Sequence, residues 1–164
     1  MAIASRPSAF GSIASGYVIN LVEQLNTAVS GGLAGMSLRS ELEAVLKDLM
    51  SAAGGDILGC GLVRADGLPV VSIFSAGIDE RRAAAMGATA LGTATRLCSE
   101  LDRGAPRRLM IEGEKGNVVI MRAGEELLLI ALSSENPNLG LIFMELERAA
   151  KRVEEIVGKR RGGR

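Results

Sequence analysis

The sequence DERRAAAMGATALGTATRLCSELD, residues 79–102, predicts a long helix that carries almost no bulky side chains. Asp79 can cap its first turn, and residues 103–106 supply the cation, glycine and proline that commonly follow a helix. Gly87 and Gly92 stand inside this helix, and each glycine costs about 1 kcal/mol relative to alanine. Two such costs in one helix indicate that close packing requires them.

The helix is apolar on two sides. One side carries larger residues, namely Met86, Ala90, Thr93, Leu97 and Leu101, and the other carries Ala84, Ala88, Leu91, Thr95 and Cys98. A helix that is apolar on more than one side is usually buried on more than one side. We expect one side to lie on the chain's own sheet. The other, lined by small residues, is expected to meet the same helix of a second subunit across a two-fold axis. Burial of both sides within one monomer is the alternative.

The composition of the chain excludes several classes of function. The 164 residues suit one domain with some surplus, and aromatic residues make up only 2%, so the core must be aliphatic. Nineteen basic and nineteen acidic residues cancel, which argues against a general nucleic-acid or anionic-membrane binder. Charge or glycine breaks every apolar stretch well before the roughly 20 residues that a membrane span needs.

Histidine is absent from the sequence, which argues against an enzyme. Its absence removes the commonest general base, the usual activator of serine and cysteine nucleophiles, and the usual metal ligand. Cys60 and Cys98 are far apart and form no metal-binding motif, so both are interpreted as inert thiols of a reducing cytoplasm. We therefore expect no catalytic residues, no cofactor and no metal.

An acid–base set remains an alternative. Its candidates are Asp66, Asp79, Glu112 and Glu114, although carboxylates in turns and helix caps are mostly structural or solvated. Neither Gly31-Gly32 nor residues 113–116 has the spacing of a phosphate-binding P-loop.

The first half of the chain predicts two helices and a hairpin before the central helix. Residues 1–36 form an extension with an amphipathic helix at about 12–30, whose polar side has no lysine or arginine and so suits a protein surface better than anionic lipid. Ser37 caps a helix from Leu38 to Ala52. Strands at 57–63 and 68–74 flank an Asp-Gly turn, and Pro69 places the second strand at an edge or at its own start.

The second half predicts a three-stranded meander and a final helix. The strands cover 107–113, 117–122 and 126–132, and the helix runs from Asn136-Pro137-Asn138 to Val157, followed by a disordered basic tail at 158–164. The fold class is therefore α+β, a five-stranded antiparallel sheet with the central helix on one face and the outer two helices on the other. The strand that begins at Arg107 is expected to pair with its twin across the two-fold axis. The predicted dimer interface comprises Ala84, Met86, Ala88, Leu91, Gly92, Thr95, Arg107, Leu109 and Ile111.

The α-ββ-α-βββ-α order over residues 37–157 resembles the Roadblock domain family. The features that carry the resemblance are GLVRADGLPV at 61–70, RLMIEGEKG at 108–116 and NPNLGLI at 136–142, taken together with the order of the elements. The resemblance implies a non-enzymatic homodimer or heterodimer that binds small Ras-like GTPases and sometimes stimulates hydrolysis through the GTPase's own residues. It supplies no catalytic residues. The N-terminal extension and the basic tail depart from the family pattern.

Two other binding functions remain open. A structural adaptor would join non-GTPase partners through the sheet face or the N-terminal helix. A nucleic-acid binder would use the basic tail, but four charges on a flexible segment give only weak, salt-sensitive attraction, and few aromatic rings are present to stack on bases.

Overall fold

A computed structural model describes residues 37–162, so the predicted helix at 12–30 and the last two residues of the basic tail lie outside the description. The elements are, in chain order, α1 (Leu38–Ala52), β1 (Ile57–Arg64), β2 (Pro69–Ile73), α2 (Glu80–Glu100), β3 (Leu109–Gly113), β4 (Gly116–Arg122), β5 (Leu127–Ser133) and α3 (Leu139–Gly162). This order confirms the predicted α-ββ-α-βββ-α arrangement.

The strands form one antiparallel sheet in the order β2-β1-β5-β4-β3. Its centre is the pairing of β1 with β5, where Gly61 lies opposite Ile130 and Leu62 lies opposite Leu129. Strand β2 lies at one edge and begins at Pro69, which has no backbone N–H to donate to a ladder. Both parts of the proline prediction are therefore correct, and β3 forms the opposite edge.

The helices cover the two faces of the sheet unequally. Helices α1 and α3 pack together on one face and bury a large aliphatic core, which includes Leu42, Leu46, Ile142 and Leu146. Helix α2 covers the other face over a smaller cluster of Val63, Ala84, Leu91, Ile120, Leu128 and Ile130. Successive residues of a strand point to opposite faces, so Leu128 and Ile130 face α2 while Leu127 and Leu129 face the helix pair. The predicted sandwich is confirmed.

Helix α3 is longer than the sequence indicates, because it continues past Val157 to Gly162. The prediction of a disordered tail is therefore wrong for residues 158–162. Arg160 lies 3.1 Å from Glu41 of α1, and Arg161 contacts Glu125 and Glu126 of the β4–β5 turn. Basic side chains in the last turn also interact favourably with the negative end of the helix dipole.

Strand β3 starts two residues later than expected, at Leu109. Arg108 instead points towards α3, where its guanidinium lies 4.3 Å from the centre of the Phe143 ring and 3.4 Å from the carboxylate of Glu147. These contacts attach the start of the edge strand to the helix pair.

Candidate functional site

Helix α2 has well-defined ends, as the sequence predicts. The side chain of Asp79 accepts hydrogen bonds from the backbone N–H groups of Arg81 and Arg82 at 3.0 and 3.1 Å. At the other end Asp102 has φ of 52°, a left-handed conformation that interrupts the helix before the loop to β3. Local contacts thus define where the helix begins and ends.

The small-residue side of α2 lies on the chain's own sheet. Ala84 and Leu91 are buried there, and Ala88 packs against the same cluster. Gly87 is also buried, and a Cβ at this position would overlap the side chain of Ile130. Ala84 and Leu91 therefore have no surface left for a second subunit. This corrects the expectation that the small-residue side is the one that meets a partner.

The opposite side of α2 is exposed and largely apolar. Met86 is 68% exposed, and Leu97 and Leu101 are each 58% exposed. With the exposed Thr89, Gly92 and Thr93 these residues form one stripe along the helix, which we call the α2 strip. Met86, Thr93, Leu97 and Leu101 fall at helical spacing. This spacing in the sequence indicates that these residues share one side of the helix. Of the α2 strip, only Met86 and Gly92 belong to the predicted dimer interface.

No contact within residues 37–162 explains why position 92 is a glycine. A Cβ built on it would meet no atom within 4 Å, whereas one built on Gly87 would meet Ile130. A glycine in a helix interior still costs about 1 kcal/mol relative to alanine. The α2 strip therefore contains a flat position where another backbone could approach closely.

The threonines of the α2 strip can be covered without leaving hydrogen-bond donors unpaired. The Thr89 hydroxyl donates to the carbonyl of Ala85 at 2.8 Å, and the Thr93 hydroxyl donates to the carbonyl of Thr89 at 3.0 Å. The predicted interface residue Thr95 is half-buried, and its hydroxyl likewise donates to Leu91 at 2.7 Å. Burying a satisfied hydroxyl avoids most of the penalty that an unpaired donor would incur.

Strand β3 presents a free edge beside this helix. It pairs with β4 on one side, with Leu109 opposite Ile120 and Ile111 opposite Val118, and among residues 37–162 no strand pairs with its other side. Leu109 packs against the α2 cluster, and Ile111, two residues on, faces the same side and is 46% exposed. Arg107 is exposed and precedes the strand. The dimer contact itself stays a prediction.

Two of the four candidate carboxylates have structural roles, and the other two are exposed. Asp66 contacts the Arg64 guanidinium, Asp79 caps α2, and Glu112 and Glu114 are exposed.

Burial raises the pKa of Cys60 to about 12, which keeps this thiol protonated and unreactive at neutral pH. Within residues 37–162 no cluster of three or more metal-binding side chains occurs, and no helix is long and apolar enough to cross a bilayer.

This chain is similar to known proteins in sequence and in fold. The family model described as Roadblock/LC7 domain matches residues 41–133. Two uncharacterized proteins of Methanocaldococcus jannaschii, MJ1340 and MJ0310, are each 34% identical over 115 residues, which cover 70% of this chain and 98% of each relative.

Solved structures share the fold at low sequence identity. Myxococcus xanthus MglB has a TM-score of 0.68 and 19% identity, covering 73% of this chain and 97% of that one. A structure described as MglB with tetrameric arrangement has a TM-score of 0.67 and 18% identity, covering 77% and 95%. A Roadblock/LC7 domain from Streptomyces avermitilis has a TM-score of 0.65 and 16% identity, covering 70% and 95%.

Proposed function

The chain belongs to the Roadblock/LC7 family, and from this we infer that it is a regulatory binding module that acts as a homodimer on a small Ras-like GTPase. Family membership supports the regulatory binding role. The exposed α2 strip beside a free sheet edge is the observation that supports self-association. No catalytic residues are required of this chain, because regulation would act through the residues of the GTPase.

A two-fold axis beside β3 would cover both features at once. Two antiparallel copies of β3 would pair their free edges and join two sheets into one, which removes an edge that is otherwise prone to aggregate. Because α2 lies on the same sheet face as Ile111, its exposed strip could then meet the strip of the second copy. Gly92 would allow the two helix backbones to approach closely.

Charge at the strip does not oppose this contact. Two charged side chains, Arg96 and Glu100, lie between Met86 and Leu101, and both are exposed. Glu100 follows Arg96 by one turn of the helix. Opposite charges four residues apart on a helix attract one another. The strip thus consists of apolar residues and threonines, with charge beside it only near its C-terminal end.

Light scattering after gel filtration tests the dimer. We expect the mass of two chains of 17.1 kDa each at micromolar concentration, and a strict monomer would remove the self-association proposal. The GTPase role has a separate test, in which the protein is mixed with each nucleotide-loaded small GTPase encoded in the same genome. No complex and no change of hydrolysis with any of them would remove that role while leaving the dimer intact.

The predicted cytoplasmic location belongs to the same proposal. Cys60 and Cys98 form no disulfide, which suits a reducing compartment. Cell fractionation with an antibody against the chain tests the location.

A structural adaptor is the second candidate, and one feature of the sheet favours it. An open groove of about 570 Å³ lies at the end of the sheet near the β3–β4 turn, with Leu58, Ile78, Val118 and Leu132 among its walls. Leu58 is 55% exposed, which is unusual for a leucine beside other apolar side chains. Loss of a non-GTPase partner on replacing Leu58 by Lys, with GTPase binding kept, would favour the adaptor.

A further inference from the structure

The second half of α2 extends beyond the sheet on which the first half packs. The buried residues of this helix, Ala84, Gly87 and Leu91, all lie in its first half, and no residue from 92 to 100 is buried. Helix α2 crosses the sheet from β2 and β1 towards β4, and Leu109 at the start of the edge strand packs against the same cluster as Leu91. The helix therefore leaves the sheet above the start of β3. At a rise of about 1.5 Å per residue, residues 92–100 continue it by roughly 13 Å.

Two side chains of this second half continue the sheet-facing side of α2. Thr95 and Cys98 follow Leu91 at steps of four and three residues, so all three point in nearly the same direction from the helix axis. Leu91 is buried, whereas Thr95 and Cys98 are only half-buried by residues 37–162. The sheet-facing side of the helix thus runs past the edge of the sheet with part of its surface uncovered.

The open groove of about 570 Å³ near the β3–β4 turn presents the complementary surface. Val118 and Leu132 in its wall lie opposite each other on β4 and β5, and each is two residues from a member of the α2 cluster. They therefore face the same side of the sheet as α2. Ile78 borders the groove just before α2 begins, and Leu58 adds a leucine that is 55% exposed. The groove is thus a part of the α2 face of the sheet that α2 itself leaves open.

Pairing of two β3 strands would bring the second half of α2 and the groove together, so the inference rests on the proposed dimer. Antiparallel pairing centred on Ile111, the middle residue of β3, sets Leu109 of one copy beside Gly113 of the other. Helix α2 leaves the sheet above Leu109, and Gly113 borders the groove. The second half of α2 from one copy would therefore lie above the groove of the other copy.

We propose that the groove binds the second half of α2 from a second copy of this chain. Thr95 and Cys98 of one copy pack on Val118 and Leu132 of the other, and the two-fold axis creates this contact twice. The Thr95 hydroxyl already donates to the carbonyl of Leu91 at 2.7 Å, so covering it leaves no donor unpaired. Each sheet is then covered by the first half of its own α2 and the second half of its partner's.

The charges on the two surfaces do not repel one another. Glu114 and Lys115 border the groove, and residues 92–100 of α2 carry Arg96 and Glu100. Each surface thus carries one cation and one anion, so the fit depends on apolar contact.

A chemical cross-link tests the placement of the helix. Val118→Cys introduces a thiol into the groove, and the natural Cys98 supplies the thiol on α2. We expect bismaleimidoethane to convert this variant into a covalent dimer on a denaturing gel, with a yield at least tenfold lower when Cys98→Ser is added. Cys60 is buried and should not react. The natural chain measures any link between two copies of Cys98.

A second measurement does not depend on the folding of the Val118→Cys variant. Cys98→Arg introduces a bulky cation on the sheet-facing side of the second half of α2, and it should raise the dimer dissociation constant at least tenfold in light scattering. The matched control is Ser99→Arg, the same substitution at the neighbouring exposed position, which should change the constant less than threefold.

The outcomes separate this inference from the proposed dimer. A natural chain with the mass of two subunits, combined with equal cross-linking in the presence and absence of Cys98, would overturn the groove contact and leave the dimer standing. Equal dissociation constants for Cys98→Arg and Ser99→Arg would do the same, and the groove would then be open to a different partner. A strict monomer would remove both the dimer and the contact.

Discussion

A Cβ on Gly87 of α2 would overlap the terminal Cδ1 atom of Ile130 in β5, so any side chain at this position requires the buried Ile130 to move. The same helix carries Gly92, where a Cβ would meet nothing within 4 Å. The two glycines therefore have different causes, since the first is required by the chain's own sheet and the second is not. This difference leads to opposite expectations for their substitution.

Replacing Gly87 by Ala should destabilise the protein. The added methyl must displace the buried Ile130, at an overpacking cost of about 1–3 kcal/mol, against a gain of about 1 kcal/mol in helix propensity. The matched control is Gly158→Ala in α3, where the new methyl meets nothing within 4 Å and should be neutral or stabilising. Urea denaturation at one protein concentration compares the two variants. Equal stability for both would contradict the packing assigned to Gly87.

Replacing Gly92 by Leu should weaken self-association without unfolding the subunit. Leucine is the better helix former by about 1 kcal/mol, so only an approaching second backbone gives this substitution a cost. We expect the dimer dissociation constant to rise at least tenfold in gel filtration with light scattering. Gly158→Leu is the control for adding a leucine to an exposed helical position. An unchanged dimer would show that the α2 strip lies outside the contact.

The edge strand should respond to charge in the same assay. Ile111→Lys introduces an ammonium at the free edge, and like charges would then face each other across the two-fold axis. We expect a dissociation constant raised at least tenfold, with monomer stability changed by no more than about 0.5 kcal/mol because Ile111 is partly exposed. Leu68→Lys replaces another exposed apolar residue, in the β1–β2 turn at the opposite edge of the sheet, and should leave the mass unchanged. Dissociation by both variants would indicate a general effect of charge.

Glu126 should make the stability of the chain fall as pH rises. Its pKa is raised in the folded state above the ordinary value of 4.5, so the folded protein holds this proton where the unfolded chain has lost it. The native state therefore binds more protons from about pH 4.5 upward to its own pKa, and stability decreases across that window. Relative to Glu126→Gln, the natural protein should lose stability over this range in denaturant titrations at successive pH values. Glu155→Gln is the control, and a constant difference between Glu126→Gln and the natural chain would contradict the assignment.

The sequence missed Glu126 because strand patterns report only which residues are apolar. Glu125 and Glu126 precede a strand that is apolar from Leu127 to Leu132, and an acidic pair before a fully buried strand was the available signal. The sequence pattern alone places Glu125 at the end of a turn and Glu126 at the start of a strand. Its partner Arg161 lies in the last turn of α3, a segment that the sequence pattern predicts to be a disordered tail.

The sequence by itself determined the element order, the α2 boundaries and the edge position of β2. Each depends on local chemistry, namely the Asp79 cap, the Asp-Gly turn before Leu68 and the missing N–H of Pro69. Only the tertiary structure decided which side of α2 faces the sheet and that α3 extends to Gly162. The first depends on the fit of Gly87 against Ile130, and the second on ion pairs of Arg160 and Arg161 with residues far away in the chain. Contacts between residues so distant in sequence leave no periodic pattern in either segment alone.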